Sequence, residues 1–441
     1  MKVAVIGLGR VGLPLALFCE SLGMKVIGID RDKGIIDGLR KKVMPFHEEG
    51  CDELLGASAI LFTDKIQQAR EADYIIITVG TPLYNHIEAD LGSVRAVCKD
   101  LTSVLRPGQT IILRSTVAPE TTLYIRRYLE MNTQLSIGSD IGLAFCPERL
   151  AENHALKELR LLPQIIGAED NMSRERAQAL FKRFSVRLFF TNYLSAELVK
   201  LFNNISRYLD FAVANQFAII ANQYHQNIYD LIHMANEDYP RGFIYSPGFT
   251  AGTCLRKDFG LLNERTAAPD LLVSAWKVNE HMPYHLVEAV TKRTPLHNKN
   301  VTVLGYTFKK NSDDTRDSLV PKLVRYIERH VPRKITICEP HLDAAEIDGY
   351  PNASLEGALA EADVVFVAMN HDHFVYRSAL LKIKKGAWVV DIWNSLGQNE
   401  FIFQKDQGEL ISWDGLESTE RQPAAVPGES APALKALADR S

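Results

Sequence analysis

The fold class this sequence predicts is α/β: two doubly wound domains joined by a long central helix within a helical middle domain. Three observations lead to it. Short β-branched runs alternate with longer amphipathic segments through about the first 190 residues, a pattern that builds a parallel sheet covered by helices. Residues 195–225 contain neither Gly nor Pro and keep a helical period, so they form one extended helix. The alternation of strand and helix then starts afresh at Asn300.

Each element has its own signal. Residues 2–6, 25–29, 74–79 and 110–113 are the clearest strands of the first domain, because each is a short run rich in β-branched residues. Their helical partners, 11–22, 91–105 and 120–130, repeat apolar residues three and four apart. In the last domain 301–304, 334–338, 364–368 and 388–392 read as strands and 318–330 as a helix. Beyond about Trp413 the composition turns to Pro, Ala, Ser, Glu and Gly, which predicts a disordered tail. The expected divisions are 1–193, 194–296, 297–413 and the tail 414–441; a chain of 441 residues is too long for a single core.

Charge and cysteine content remove several classes of function. Fifty basic side chains against 54 acidic ones leave a net charge of -4, which argues against a nucleic-acid partner while leaving room for a local phosphate-binding cluster. The six cysteines lack paired metal spacing and are far too sparse for a disulfide framework, so a reducing compartment is expected. The apolar start of the chain is interrupted by Arg10, and bulky Phe18 stands where a signal peptide needs a small residue. No stretch reaches the roughly 18 apolar residues of a membrane helix. A cytoplasmic protein without a membrane segment is expected.

Gly7-Leu8-Gly9-Arg10-Val11-Gly12 follows the first strand directly and opens the first helix, and Asp30 ends the second strand 18 residues after Gly12. In this context the glycines allow a tight turn and close approach of a pyrophosphate to a helix N-terminus, while Asp30 accepts hydrogen bonds from a ribose diol. The first domain therefore reads as a Rossmann-like dinucleotide site. A carboxylate at position 30 repels a 2′-phosphate, which favours NAD, although Arg31 beside it is a residue type that accommodates such a phosphate.

A second constellation lies at 246–258. Cys254 follows a Gly-containing loop and precedes Arg256 and Lys257; neighbouring cations favour the reactive thiolate, and glycines let backbone approach a substrate. On the long helix, Lys200 and Asn204 are four apart and share one face, where they suit a developing oxyanion. Glu148, Glu152 and Asp258 are carboxylates available to activate water. His341, His371 and His373 lack a matching cysteine or carboxylate partner in the sequence, so no metal is expected.

The run Cys254-Leu255-Arg256-Lys257-Asp258 resembles the active-site loop of the UDP-glucose/GDP-mannose dehydrogenase family. Other blocks in the same order resemble it too: Gly80-Thr81-Pro82, Ser115-Thr116-Val117, Cys146-Pro147-Glu148-Arg149-Leu150-Ala151-Glu152, and Glu197-Leu198-Val199-Lys200 leading to Asn203-Asn204. Gly305-Tyr306-Thr307-Phe308-Lys309-Lys310, running on to Asp313-Asp314-Thr315-Arg316-Asp317-Ser318, continues the match, which spans residues 1 to about 395.

The resemblance implies NAD as cofactor, with Thr81 and Thr116 joining Gly7, Gly9, Arg10, Val11, Gly12, Asp30 and Arg31 around it. It implies that Cys254 is a covalent nucleophile, that Lys200 and Asn204 hold the oxyanion, that Glu152 is the general base with Glu148 assisting, that Asp258 positions water and Lys200, and that Thr116 holds a bridging water. Glu148, Leu150, Lys200, Asn204, Gly252, Phe308, Lys309 and Arg316 are the implied substrate contacts. Arg241 resembles an arginine that reaches a neighbouring subunit's site, which implies a homodimer or higher homo-oligomer through the long helix.

The implied reaction is a four-electron oxidation of the C6 hydroxyl of a nucleotide sugar to the uronic acid, through a thiohemiacetal and a thioester on Cys254. The sugar is less determined. Cys146-Pro147-Glu148-Arg149 and Tyr239-Pro240-Arg241 resemble members acting on UDP-N-acetylhexosamines, whereas Glu152 and Lys257-Asp258 resemble those acting on UDP-glucose or GDP-mannose. Ala251 and Thr253 depart from the paired glycines usual before the cysteine. The expectation is a UDP-sugar, UDP-N-acetylhexosamine ahead of UDP-glucose and GDP-mannose third. Two other readings compete: a one-hydride dehydrogenase of the 6-phosphogluconate or 3-hydroxyacid kind, and a non-catalytic nucleotide-sugar sensor.

Overall fold

Eight strands, β1 (Lys2–Ile6), β2 (Lys25–Ile29), β3 (Leu61–Thr63), β4 (Tyr74–Ile77), β5 (Thr110–Leu113), β6 (Gly142–Phe145), β7 (Gln164–Gly167) and β8 (Leu188–Thr191), form the first sheet. Their order is β8-β7-β6-β5-β4-β1-β2-β3. The pairs are parallel, as with Val3 opposite Val26 and Tyr74, except for the antiparallel β6 and β7, which meet at Phe145 and Gly167. Chain order reverses between β1 and β4, and ligands of such sheets bind at this reversal, beyond the carboxyl ends of the strands. The structure, a computed structural model, describes residues 1–84, 88–252, 255–263, 267–374 and 377–405. The expected tail, 414–441, lies outside the described residues, as does Cys254.

The helices of the N-terminal region are α1 (Gly12–Ser21), α2 (Lys33–Arg40), α3 (Cys51–Ala57), α4 (Gly92–Leu101), α5 (Thr121–Asn132), α6 (Ala155–Leu159) and α7 (Asn171–Phe181). Two apolar clusters fill the faces of the sheet, one around Leu13, Leu17, Phe18 and Phe181, the other around Val94, Leu101, Ile125 and Leu129. Strand β4 stops at Ile77, two residues before its expected end, because the Thr78 hydroxyl turns to donate to the Gly7 carbonyl at 2.8 Å.

The long helix is α8 (Tyr193–Gln223). It begins two residues earlier than expected because the Asn192 side chain accepts the Ser195 N–H at 2.7 Å and so supplies the N-cap. It ends where His225 turns left-handed (φ 54) and the Gln226 N–H returns to the Ala221 carbonyl at 2.8 Å. After it come α9 (Ile228–Asn236), α10 (Leu255–Asn263) and α11 (Asp270–Thr291).

By compactness the chain forms two units. One comprises residues 1–204 with 257–267, the other 205–256 with the described residues from 268 onward. The second unit contains α12 (Val320–Glu328) and strands β9 (Asn300–Leu304), β10 (Lys334–Cys338), β11 (Val364–Val367), β12 (Trp388–Asp391) and β13 (Ile402–Gln404). These are ordered β10-β9-β11-β12-β13, with only β13 antiparallel. Its core joins Met282, Leu286 and Val290 of α11 to Val301, Val303, Leu323, Ile327 and Phe366. Among the described residues no helix is long and apolar enough to cross a membrane.

Candidate active site

In the first unit the expected dinucleotide turn is present. A Cβ on Gly12 would lie 1.8 Å from the Gly7 carbonyl oxygen, so no other residue fits there, and a Cβ on Gly9 would meet nothing within 4 Å. Asp30 follows β2 and receives the Leu8 N–H at 2.7 Å and the Asp32 N–H at 2.9 Å. The carboxylate thus stands beside a glycine turn that opens a helix, which fits a dinucleotide. Arg10 and Val11 are half-buried, Arg31 is exposed, and the Arg10 guanidinium lies 5.0 Å from the Phe46 ring centre.

Further along the same edge, α8 and α10 bring together the residues expected to carry the chemistry. Lys200 and Asn204 are buried (7% and 8% exposed), and the Asn204 amide donates to Asp258 Oδ2 at 2.5 Å. Asp258 is 1% exposed; its Oδ1 has no hydrogen-bond partner among the described residues and lies 3.9 Å from Lys257 Nζ. An unsatisfied buried carboxylate oxygen costs free energy unless a ligand or water completes it. Lys257 Nζ donates to the Thr81 hydroxyl at 3.1 Å, and that hydroxyl donates to the Thr116 carbonyl. Ala118, Leu201 and Leu261 close the apolar underside of the group.

The 146–152 segment is held by residues that the sequence reading did not single out. Arg114, 1% exposed, pairs with Glu148 and donates to Gln164 Oε1 at 3.0 Å, while its guanidinium lies 5.2 Å from the Phe181 ring centre. The other Glu148 oxygen accepts the N–H groups of Arg149 at 2.7 Å and Leu150 at 3.1 Å. Glu48 accepts the N–H groups of Asn153 and Ala155, both at 2.9 Å, and Glu158 accepts that of Ala151 at 2.6 Å. Half-buried Glu152 therefore stands between two peptides fixed by carboxylates.

In the second unit the stretch before Cys254 is buried although it has no regular structure. The backbone groups of such a stretch need partners, and Asn215 provides them: its Oδ1 accepts the Gly248 N–H at 2.9 Å and its Nδ2 donates to the Gly248 carbonyl at 3.0 Å. Gly252 is left-handed (φ 91), and a Cβ there would lie 2.3 Å from the Phe308 ring, so glycine is required beside this aromatic. Arg256 pairs with Glu280 at 2.8 Å. Arg316 forks onto Asp314 at 2.6 and 2.9 Å, Lys309 is half-buried, and exposed Arg241 lies over the Tyr239 ring at 4.9 Å.

Two of the three histidines, His341 and His371, acquire a carboxylate neighbour, which corrects the expectation that they lack one. Donor atoms of Glu339, His341 and His371 lie within 4.8 Å of one another. His371 Nδ1 accepts the Asn311 N–H at 2.8 Å, so the neutral ring carries its proton on Nε2, which faces Glu339 Oε2 at 3.1 Å. That oxygen also accepts the Tyr306 N–H at 2.7 Å. Glu339 repeats in the second sheet the bond that Asp30 makes to Leu8 in the first. Here, however, the carboxylate is sealed by His371, and Thr307 and Lys310 replace the later glycines of the turn.

Comparison with known proteins agrees with this architecture. The UDP-glucose/GDP-mannose dehydrogenase family matches in three parts: its NAD binding domain over residues 1–185, its central domain over 194–281 and its UDP binding domain over 302–398. A UDP-N-acetyl-D-mannosamine dehydrogenase of Pyrococcus horikoshii is 33% identical over 386 residues, covering 85% of this chain and 90% of that one. An NDP-N-acetyl-D-galactosaminuronic acid dehydrogenase of Ralstonia solanacearum is 30% identical, covering 84% and 91%. The solved UDP-D-ManNAc dehydrogenase of P. horikoshii superposes with a TM-score of 0.80 at 32% identity, covering 89% of this chain and 95% of that one. With the glycine turn and Asp30 on one sheet and matches over all three domains, the chain belongs to the UDP-glucose/GDP-mannose dehydrogenase family, as an NAD-dependent nucleotide-sugar dehydrogenase.

Proposed function

We propose that this enzyme oxidises the C6 alcohol of a UDP-sugar to the carboxylate in two hydride transfers, with Cys254 holding the intermediate. NAD, when bound, supplies the hydride acceptor for each step. The observation that carries the reading is the buried Lys200, Asn204 and Asp258 set, whose Asp258 Oδ1 awaits a partner four residues beyond Cys254 in the chain. Lys200 and Asn204 stabilise the alkoxide that forms as the alcohol loses its proton. The thiolate of Cys254 adds to the aldehyde and gives a thiohemiacetal. Loss of the second hydride gives the thioester, and water displaces the thiolate with its proton passing to Glu152. Glu152 is preferred to Glu148 because Glu148 is committed to a buried ion pair with Arg114, which holds its carboxylate in place.

UDP-N-acetylhexosamines are favoured over UDP-glucose, with support from relatives named for UDP-N-acetyl-D-mannosamine and for an N-acetylgalactosaminuronic acid. A second copy of the chain is proposed to cover the exposed apolar stripe of α8 and to receive Arg241. The test is to count NADH formed per sugar consumed across a panel of UDP- and GDP-sugars. Two per UDP-N-acetylhexosamine are expected, and Cys254→Ala should abolish steady four-electron turnover. If that variant still produced two NADH per sugar at the normal rate, the covalent route would be wrong.

A further inference from the structure

Glu197 belongs to a sequence block that points to the site, yet the chemistry above leaves it without a task. It lies on α8, 1% exposed, one turn before Lys200 and two before Asn204. Its carboxylate faces the start of α5. Oε2 accepts the Glu120 N–H at 2.7 Å, and Oε1 accepts the Thr122 N–H at 2.8 Å and the Thr122 hydroxyl at 2.5 Å. That helix end has no cap of its own, because Glu120 is left-handed (φ 70) and its side chain makes no capping bond. A carboxylate suits unsatisfied N–H groups at the positive end of a helix dipole. Burial nevertheless holds the Glu197 carboxyl above its usual range, against the hydrogen bonds from Thr122 and Glu120 that favour the charge. A neutral local cap, Ser or Asn at position 120, would complete the same helix without burying a carboxylate from elsewhere.

What the distant carboxylate adds is a closed ring of bonds. From Glu197 the ring passes through Glu120 and Thr122 into the 115–122 turn, whose Thr116 carbonyl accepts the Thr81 hydroxyl. Thr81 accepts from Lys257 at 3.1 Å, and the next residue, Asp258, accepts from Asn204 at 2.5 Å, back on α8 seven residues after Glu197. Thr81, Thr116, Lys200, Asn204 and Asp258 are thus strung between two points of one helix, around the packed side chains of Ala118, Leu201 and Leu261. We propose that Glu197 is a positioning residue, which locks the 115–122 turn to α8 and so fixes Thr116 against Lys200, Asn204 and Asp258. The effect on rate rests on the functional reading above; the lock itself does not.

The experiment uses the full-length enzyme and the variants Glu197→Gln, Glu197→Ala and Thr122→Val. Gln keeps the shape but presents a donor toward an N–H group; Thr122→Val removes one hydroxyl from the other end of the contact and guards against an Ala variant that fails to fold. Native-state hydrogen exchange should show faster exchange of the 115–122 amides in Glu197→Gln, with the amides of β1 and β2 unchanged. Under conditions where each variant is folded, kcat should fall about tenfold or more, while the KM for NAD stays within about threefold because the Gly7 to Asp30 turn is untouched. Thr122→Val should lower kcat by itself and add nothing in the Glu197→Gln background. Unchanged exchange in the turn, unchanged kcat in folded Glu197→Gln, or multiplying effects of the two substitutions would each overturn the proposal. A wild-type enzyme that binds NAD but oxidises no nucleotide sugar would overturn the functional reading instead, and the exchange measurement would still judge the lock.

Discussion

The cysteines bear on the proposed chemistry by elimination. Cys19, Cys51, Cys98, Cys146 and Cys338 are all buried, and loss of solvent pushes each thiol up to about 12. None supplies a thiolate near neutral pH, which leaves Cys254 of the six. Titration of the native enzyme at pH 7.5 with a chromogenic disulfide should therefore release one equivalent rapidly, with the other five appearing only on unfolding. Cys254→Ser should remove the rapid phase; its persistence would place the reactive thiol elsewhere. The proposed nucleophile has a local pattern in the sequence, a loop with Gly, Cys and two cations, and the i,i+4 pair Lys200 and Asn204 was legible as one helix face. Arg114 was not. Its partner Glu148 is 34 residues away, and nothing local distinguishes an arginine at the end of a strand that will be fully buried from one that reaches solvent. Glu48 was hidden in the same way, since the N–H groups that donate to it, at 153 and 155, lie more than 100 residues on.

At the scale of elements, α8 was legible as a helix but not as a surface. Val213, Phe217, Ile220 and Tyr224 recur at intervals of four and three and are all exposed, with Leu231 and Met234 of α9 exposed as well. That interval is the seam spacing of packed helix pairs, and a contiguous apolar stripe on a soluble helix marks an interface. With each large side chain contributing about 2 kcal/mol when covered, Phe217→Asp with Ile220→Asp should weaken self-association by at least about a hundredfold. Sedimentation would then show a monomer of unchanged secondary structure, and a double variant that sedimented like the wild type would move the interface off this stripe. Helix α11 carries a different consequence. Burial first, then the charges of His281 and Lys292, push His285 down to about 4. A histidine held neutral in the fold contributes stability that is complete above its unfolded value near 6.5 and is lost as the pH falls through about 4. The amount is about 3 kcal/mol. His285→Phe should flatten the fall in stability between pH 6.5 and 4, measured by urea unfolding; an unaltered slope would assign the acid sensitivity to other groups.

For the whole molecule, the two parallel sheets divide the work by small differences at equivalent turns. Gly7 and Gly305 are both left-handed (φ 95 and 88), and each next N–H meets a carboxylate, Asp30 or Glu339, at 2.7 Å. Only the first turn continues with Gly9, which leaves open space for a pyrophosphate, and Gly12, which lets the helix pack against the turn, so the first sheet carries the dinucleotide site. The repeated strand and helix order made both sheets legible; the sealing of Glu339 by His371 was not, because it joins the ends of two strands that are distant in sequence. Arg241 then raises a question at the same scale. It is exposed and stacked on Tyr239, and in the proposed dimer it completes the partner's site. An isologous dimer has two such sites. If Arg241 acts across the interface, Arg241→Ala and Cys254→Ala chains are each defective alone, yet a mixed dimer contains one site with both functional residues and one with neither. Random exchange of equal amounts makes half the dimers mixed, each with one of two sites intact, so about a quarter of wild-type activity should return. Mixing without recovery, under conditions where subunit exchange is demonstrated by mass, would place Arg241 in its own subunit's site.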